Sequence, residues 1–247
     1  MRSGSPDAEP TALVIFLHGG FWRDEFDRSH TGPLAAALAD AGYAVCTPEF
    51  RRIGQQGGGW PGTFDDVAAA VDALPGLVAA AAGAGRVDAR RIVLAGHSAG
   101  GHLALWAAAR HRLPSSSSWS GPWSPSWRGV VGLAAVSDLR ACHDQELGGG
   151  AAADLMGGSP GRYPDQYAQA DPARLIPLGL RVRLVHGSAD DRVPCGMSQD
   201  YAARAVAAGD DVGLDELPGY GHFELIDPLT GAWPAVLAAF GAASTDG

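Results

Sequence analysis

The sequence predicts an α/β fold, a mostly parallel twisted sheet of about six strands flanked by helices. Three observations predict it. Short apolar or β-branched runs alternate along the chain with alanine-rich amphipathic stretches. That alternation produces right-handed crossovers and a sheet covered on both faces. A length of 247 residues, 46% of them hydrophobic, can bury one sizeable core.

The elements follow in order. Residues 12–17 (ALVIFL) read as a buried strand, 31–41 as a helix and 43–47 (YAVCT) as a strand. Thr63 is placed to cap a helix through about Ala82, with Asp65 and Asp66 near its positive end. Residues 91–95 (RIVLA) form a strand and 99–111 a helix. Residues 130–136 and 181–186 (RVRLVH) are further strands, and 151–156 reads as a helix end. A helix near 197–208, a last strand at 212–217 and a last helix at 233–240 complete the series. No internal repeat or second domain is visible, so residues 1–247 form one domain with flexible ends at 1–10 and 243–247. Two loops stand out. Residues 54–62 (GQQGGGWPG) are expected to be mobile. Residues 114–127 carry Trp119, Trp123 and Trp127 in a Ser/Pro background, either a surface loop or a partial lid without a large cap domain.

Composition excludes several function classes. A formal charge of -9 leaves no basic stripe for nucleic acid. Cys46, Cys142 and Cys195 are far apart, with no C-x-x-C pair, which argues against a zinc site or a disulfide framework. The polar start MRSGSPDAEP lacks the apolar stretch expected of a signal peptide, and no apolar run reaches membrane-spanning length. The expectation is a cytoplasmic protein acting on a small molecule, with no cofactor, metal, nucleic acid or membrane partner. Oligomeric state, a homodimer included, is not legible.

Gly96-His97-Ser98-Ala99-Gly100 matches G-x-S-x-G. With 35 Gly and 16 Ser, chance alone supplies about 0.3 such matches, and the chain holds a second at Gly157-Gly158-Ser159-Pro160-Gly161. Context separates them. Ser98 follows a strand and opens a helix, the strand-to-helix turn that lifts a serine side chain clear of a sheet. Its neighbour Ala99 has an N–H to offer an oxyanion; Pro160, after Ser159, has none.

A serine nucleophile needs a base and an acid that orients the base, both from loops at the carboxyl edge of the sheet. His222, in Gly219-Tyr220-Gly221-His222-Phe223, is the only histidine in a loop after the final strand. His97 and His102 are tied to the serine turn and its helix, and His30, His111 and His143 read as solvent-facing. The acid is Asp190 or Asp191, just past the strand at 181–186, with Asp138 as a rival. The second oxyanion N–H belongs to the loop His18-Gly19-Gly20-Phe21-Trp22 after the first strand, where glycine permits close backbone approach. Phe21 and Trp22 are core aromatics or pocket wall, and His97 and Phe223 flank the same pocket.

Over nearly its whole length the chain resembles the α/β-hydrolase superfamily. The likeness rests on H-G-G-F-W at 18–22, G-H-S-A-G-G-H at 96–102, H-G-S-A-D-D-R-V-P at 186–194 and G-H-F-E-L-I-D-P at 221–228. Within it the chain is most similar to the group holding kynurenine formamidases (arylformamidases) and small esterases related to feruloyl and acetylxylan esterases. Phe50-Arg51 and Trp60-Pro61 to Asp66 share in this likeness. The resemblance implies a Ser98–His222–Asp190 triad, Asp190 rather than Asp191, and an oxyanion hole from the N–H groups of Gly20 or Phe21 together with Ala99. Only about a dozen residues precede the first strand, so the N-terminal antiparallel strands are reduced. The implied activity is hydrolysis of a small ester or amide, N-formylkynurenine included; the alternative is a silent member that binds a small ligand.

Overall fold

The computed structural model describes residues 11–83, 85–121 and 126–245. Strands β1 (Thr11–Leu17), β2 (Ala44–Cys46), β3 (Val87–His97), β4 (Trp127–Leu133), β5 (Arg181–Gly187) and β6 (Asp211–Leu217) form one sheet. Its order is β2-β1-β3-β4-β5-β6, and every neighbouring pair is parallel. The helices are α1 (Gly32–Asp40), α2 (Gly62–Ala82), α3 (Ala99–Ala108), α4 (Leu139–Asp144), α5 (Leu147–Met156), α6 (Pro164–Ala170), α7 (Cys195–Ala207) and α8 (Trp233–Ser244).

The continuous apolar run of β1 has a direct cause. Successive side chains alternate between faces, and both faces are buried. Leu13, Ile15 and Leu17 point into a core shared with α2, α3 and α7, whereas Val14 and Phe16 meet Leu34 and Leu38 of α1 and Phe240 of α8. The long central strand β3 pairs with β1 and β4 and delivers its last residue, His97, directly to Ser98.

Several expectations need correction. Thr63 does not cap α2; it lies in the first turn, where its Oγ1 donates to the Arg51 carbonyl (2.6 Å) and accepts from the Gly59 N–H (3.0 Å). The loop at 54–62 is glycine-rich through close packing: a Cβ at Gly58 would sit 1.8 Å from the Arg52 carbonyl oxygen. Trp60 N–H donates to the Leu155 carbonyl (2.7 Å), tying the loop to α5. The tryptophan loop is no lid among its described residues. It joins the end of α3 to the start of β4, and Trp119 packs against Trp60, Phe64 and Trp106 while its Nε1 donates to Asp65 (2.7 Å). Trp123 lies outside the described residues. Residues 243–245 were expected to be loose, but Ala243 belongs to the last turn of α8 and is fully buried in the core; 1–10 and 246–247 lie outside the described residues. The short helices α4 and α6 were not anticipated.

Candidate active site

Ser98 occupies the turn between β3 and α3 at φ 56°, ψ −121°, a conformation L-residues rarely hold. Neighbouring hydrogen bonds over-determine it. Its N–H donates to the Leu133 carbonyl (2.9 Å), and its carbonyl accepts from Val136 (3.1 Å) and His102 (3.1 Å). The flanking glycines are sterically required: a Cβ at Gly96 would lie 2.2 Å from the Gly100 oxygen, and one at Gly100 2.1 Å from the Leu17 oxygen. Ala99 opens α3, so its N–H is among those without an intrahelical acceptor.

The loop after β1 sits beside this turn. Gly19 packs so closely that an added Cβ would lie 3.1 Å from the Ser98 Cβ. Gly20, Phe21 and Trp22 all take positive φ (110°, 48° and 58°). Two of these are not glycine, so the surroundings must hold them, at a cost of about 1–3 kcal/mol each. Trp22 supplies much of that hold. It is 1% exposed, its ring meets His102 of α3 edge to face (5.2 Å), and its carbonyl accepts from Ile53 (2.8 Å). Trp22 is therefore not a pocket wall; it anchors the loop in the core. His18, also buried, stacks on Phe50 (4.4 Å) and donates from Nδ1 to the Gly19 carbonyl, and burial lowers its pKa.

The loops after β5 and β6 bring Asp190 and His222 together. His222 Nδ1 donates to Asp190 Oδ2 at 2.6 Å. The Asp190 side chain is fully buried. Its Oδ1 accepts from the backbone N–H groups of Arg192 (2.8 Å) and Val193 (2.9 Å), and His186 approaches Oδ2 at 3.2 Å. Burial alone pushes this carboxyl up; the hydrogen bonds from His186, His222 and the backbone outweigh it and hold the group well below the usual carboxylate range. Asp191 is exposed and pairs with Arg192, and Asp138 caps α4 and binds Arg204, so neither orients His222. His97 Nε2 donates to the His222 carbonyl (3.0 Å), pinning that loop to the serine turn. Burial, reinforced by the nearby His222, keeps His97 well below the ordinary imidazole pKa.

Ser98, His222, Gly20, Phe21, His97 and Phe223 line one cavity of about 800 Å³. Several of its other walls were not anticipated. Phe26, Arg192 and Leu229 contribute, and so does His30, which was expected to face solvent. The signal available for Phe26 and Leu229 was an apolar residue isolated among charged or turn residues, which a pattern search for core positions passes over. Ser159 is not among the residues that line this cavity; its carbonyl closes the turn before α6. Among the described residues no cluster of three or more His, Cys, Asp or Glu is arranged to hold a metal. No described helix is long and apolar enough to cross a membrane.

A parallel sheet in this order, with a strained serine between β3 and α3 and a His–Asp pair after β6 and β5, defines an α/β-hydrolase. The chain belongs to the BD-FAE family of α/β-hydrolase esterases, whose model matches residues 4–204. It is 28% identical over 235 residues to a probable isoprenylcysteine alpha-carbonyl methylesterase of Oryza sativa subsp. japonica, covering 90% of this chain and 55% of that protein. The chain thus spans about half the length of that curated relative. Solved structures share the fold. Esterase B from Lactobacillus rhamnosis superposes with a TM-score of 0.77 at 20% identity, over 96% of this chain and 78% of that one. A truncated carbohydrate esterase from gut microbiota gives 0.76 at 20% identity, over 97% and 88%. A thermophilic esterase of Thermogutta terrifontis gives 0.70 at 20% identity, over 98% and 82%.

Proposed function

We propose that the protein is a serine hydrolase that cleaves a carboxylic ester through an acyl-enzyme on Ser98. The carrying observation is the 2.6 Å bond to a buried, ionised Asp190 from Nδ1 of His222, which lines one cavity with the strained Ser98. Holding Nδ1 as the donor leaves Nε2 free to take the Ser98 proton as the serine attacks the carbonyl carbon. The N–H groups of Ala99 and of Gly20 or Phe21 stabilise the oxyanion, and removing one such donor costs on the order of 10²–10³ in kcat. His222 then gives its proton to the departing alcohol, and water attacks the acyl-enzyme by the same route in reverse. The family and the named relatives support an ester in preference to an amide.

A fluorophosphonate probe tests the nucleophile: wild type is labelled, and Ser98→Ala is neither labelled nor active on p-nitrophenyl acetate. Labelling and turnover that survive the substitution would sink the assignment. N-formylkynurenine beside simple esters separates esterase from arylformamidase activity. Tight ligand binding with no turnover of either would point to a silent binding protein.

A further inference from the structure

Five large hydrophobic side chains stand exposed among the described residues, and three of them, Phe26, Phe223 and Leu229, line the single cavity that holds Ser98. Leu229 is 92% exposed and Phe223 54%. Isolated exposed apolar residues are ordinary, as Leu77 and Val206 are here, but their concentration at one cavity marks a recognition surface. The cavity volume, about 800 Å³, lies in the upper part of the roughly 300–1,000 Å³ range of pockets for drug-sized ligands. An acetyl group alone would leave nearly all of it empty.

Much of the apolar lining comes from the loop that carries His222. Phe223 directly follows His222, with the two rings 5.1 Å apart, and Ile226 and Leu229 continue along the same loop. Phe26 and Pro33, from the segment after β1, supply further apolar lining. Phe21, in the loop after β1, packs against the backbone of Gly148, where an added Cβ would lie 2.7 Å from the ring. In the mechanism above, His222 must sit next to the oxygen it protonates, so the alcohol half of the ester lies on the His222 side.

We infer that the apolar groove beside His222 receives the leaving alcohol, and that the preferred substrates are short-acyl esters of large apolar alcohols. This rests on the serine-hydrolase reading. The Ser98 oxygen bonds to the acyl carbon, and the bond to the alcohol oxygen breaks. The serine proton passes through His222 to that oxygen, and an apolar alcohol departs along Phe223 and Leu229. Water then releases the short acid.

Two ester series test the inference, both kept below micelle-forming concentrations: acetates of ethanol through octanol, and ethyl esters of acetic through octanoic acid. Full burial of a methylene favours binding about fourfold, so a half-open groove gives about twofold per methylene. The expected result is a rise of about 60-fold in kcat/KM from ethyl to octyl acetate, with no comparable rise in the acyl series. Leu229→Ser and Phe26→Ser, both at exposed positions, each lower the octyl-to-ethyl ratio about fivefold. Ser98-dependent turnover with a flat alcohol series, a rise confined to the acyl series, or unchanged ratios in both variants overturns the groove assignment alone. Turnover that survives Ser98→Ala overturns the serine reading and this inference with it.

Discussion

Replacing Asp190 by Asn removes a charge but almost no volume, and the outcome can be worked from four donors. Two backbone N–H groups, of Arg192 and Val193, point at Oδ1, and the imidazole N–H groups of His222 and His186 point at Oδ2. An amide has one acceptor oxygen, so one pair must face its NH₂. The backbone donors cannot change, whereas an imidazole can move its proton to the other nitrogen. The amide oxygen therefore turns to the backbone. His222 then accepts at Nδ1, carries its proton on Nε2 and can no longer deprotonate Ser98. His186 keeps its proton on Nε2, where the Val193 carbonyl still accepts it (2.9 Å), and now faces the amide NH₂. The stability cost is about 1–3 kcal/mol, one unsatisfied buried donor. The activity cost is on the order of 10⁴ in kcat, the scale set by a wrong-tautomer histidine in a triad. Guanidinium denaturation and p-nitrophenyl acetate kinetics on the same preparation read the two effects separately. A folded Asp190→Asn variant within tenfold of wild-type kcat would refute the tautomer argument.

Three further outcomes are expected. Asp171, buried beside Asp138, has its carboxyl pushed up to about 6 by burial despite accepting backbone N–H groups of Leu139 and Ala173. A folded-state carboxyl above its unfolded value binds more protons when folded, so its contribution weakens as pH rises from about 4 to about 6, by about 3 kcal/mol. Asp171→Asn flattens that limb of a denaturation-versus-pH profile, and an unchanged limb would remove Asp171 as its source. Gly58→Ala forces a Cβ onto the Arg52 carbonyl and destabilises by about 1–3 kcal/mol or more, read from the denaturation midpoint. Trp119→Leu loses ring packing and the Asp65 bond, costing about 2–4 kcal/mol, while KM stays within twofold. A KM change above about fivefold would return that loop to the substrate path.

The fold was legible because both of its requirements are local. Alternating faces of β1 must be apolar on both sides when helices cover both, and helix stretches must carry their own periodicity, so residues 12–17 and 99–111 announce themselves. The serine was legible for the same reason: Gly96 and Gly100 flank it because no Cβ fits there, and Ala99 supplies an N–H where Pro160 cannot. His222 followed from topology, being the one histidine after the last strand. What sequence spacing left open was which of Asp190, Asp191 and Asp138 faces it. The resemblance implied Asp190, and the turn after β5 supplies the physical reason: it folds Asp190 inward onto two backbone amides and leaves Asp191 in solvent. Trp22 and Trp119 were equally ambiguous, since an aromatic ring reads the same whether it walls a pocket or fills a core. Packing of α2, α3 and the neighbouring loops put both rings in the core. The converse holds for Phe26 and Leu229, which have no periodicity to reveal them and line one cavity only because loops distant in sequence converge there. Local sterics and burial are written residue by residue; the direction a loop side chain takes is set by neighbours that only the tertiary structure supplies.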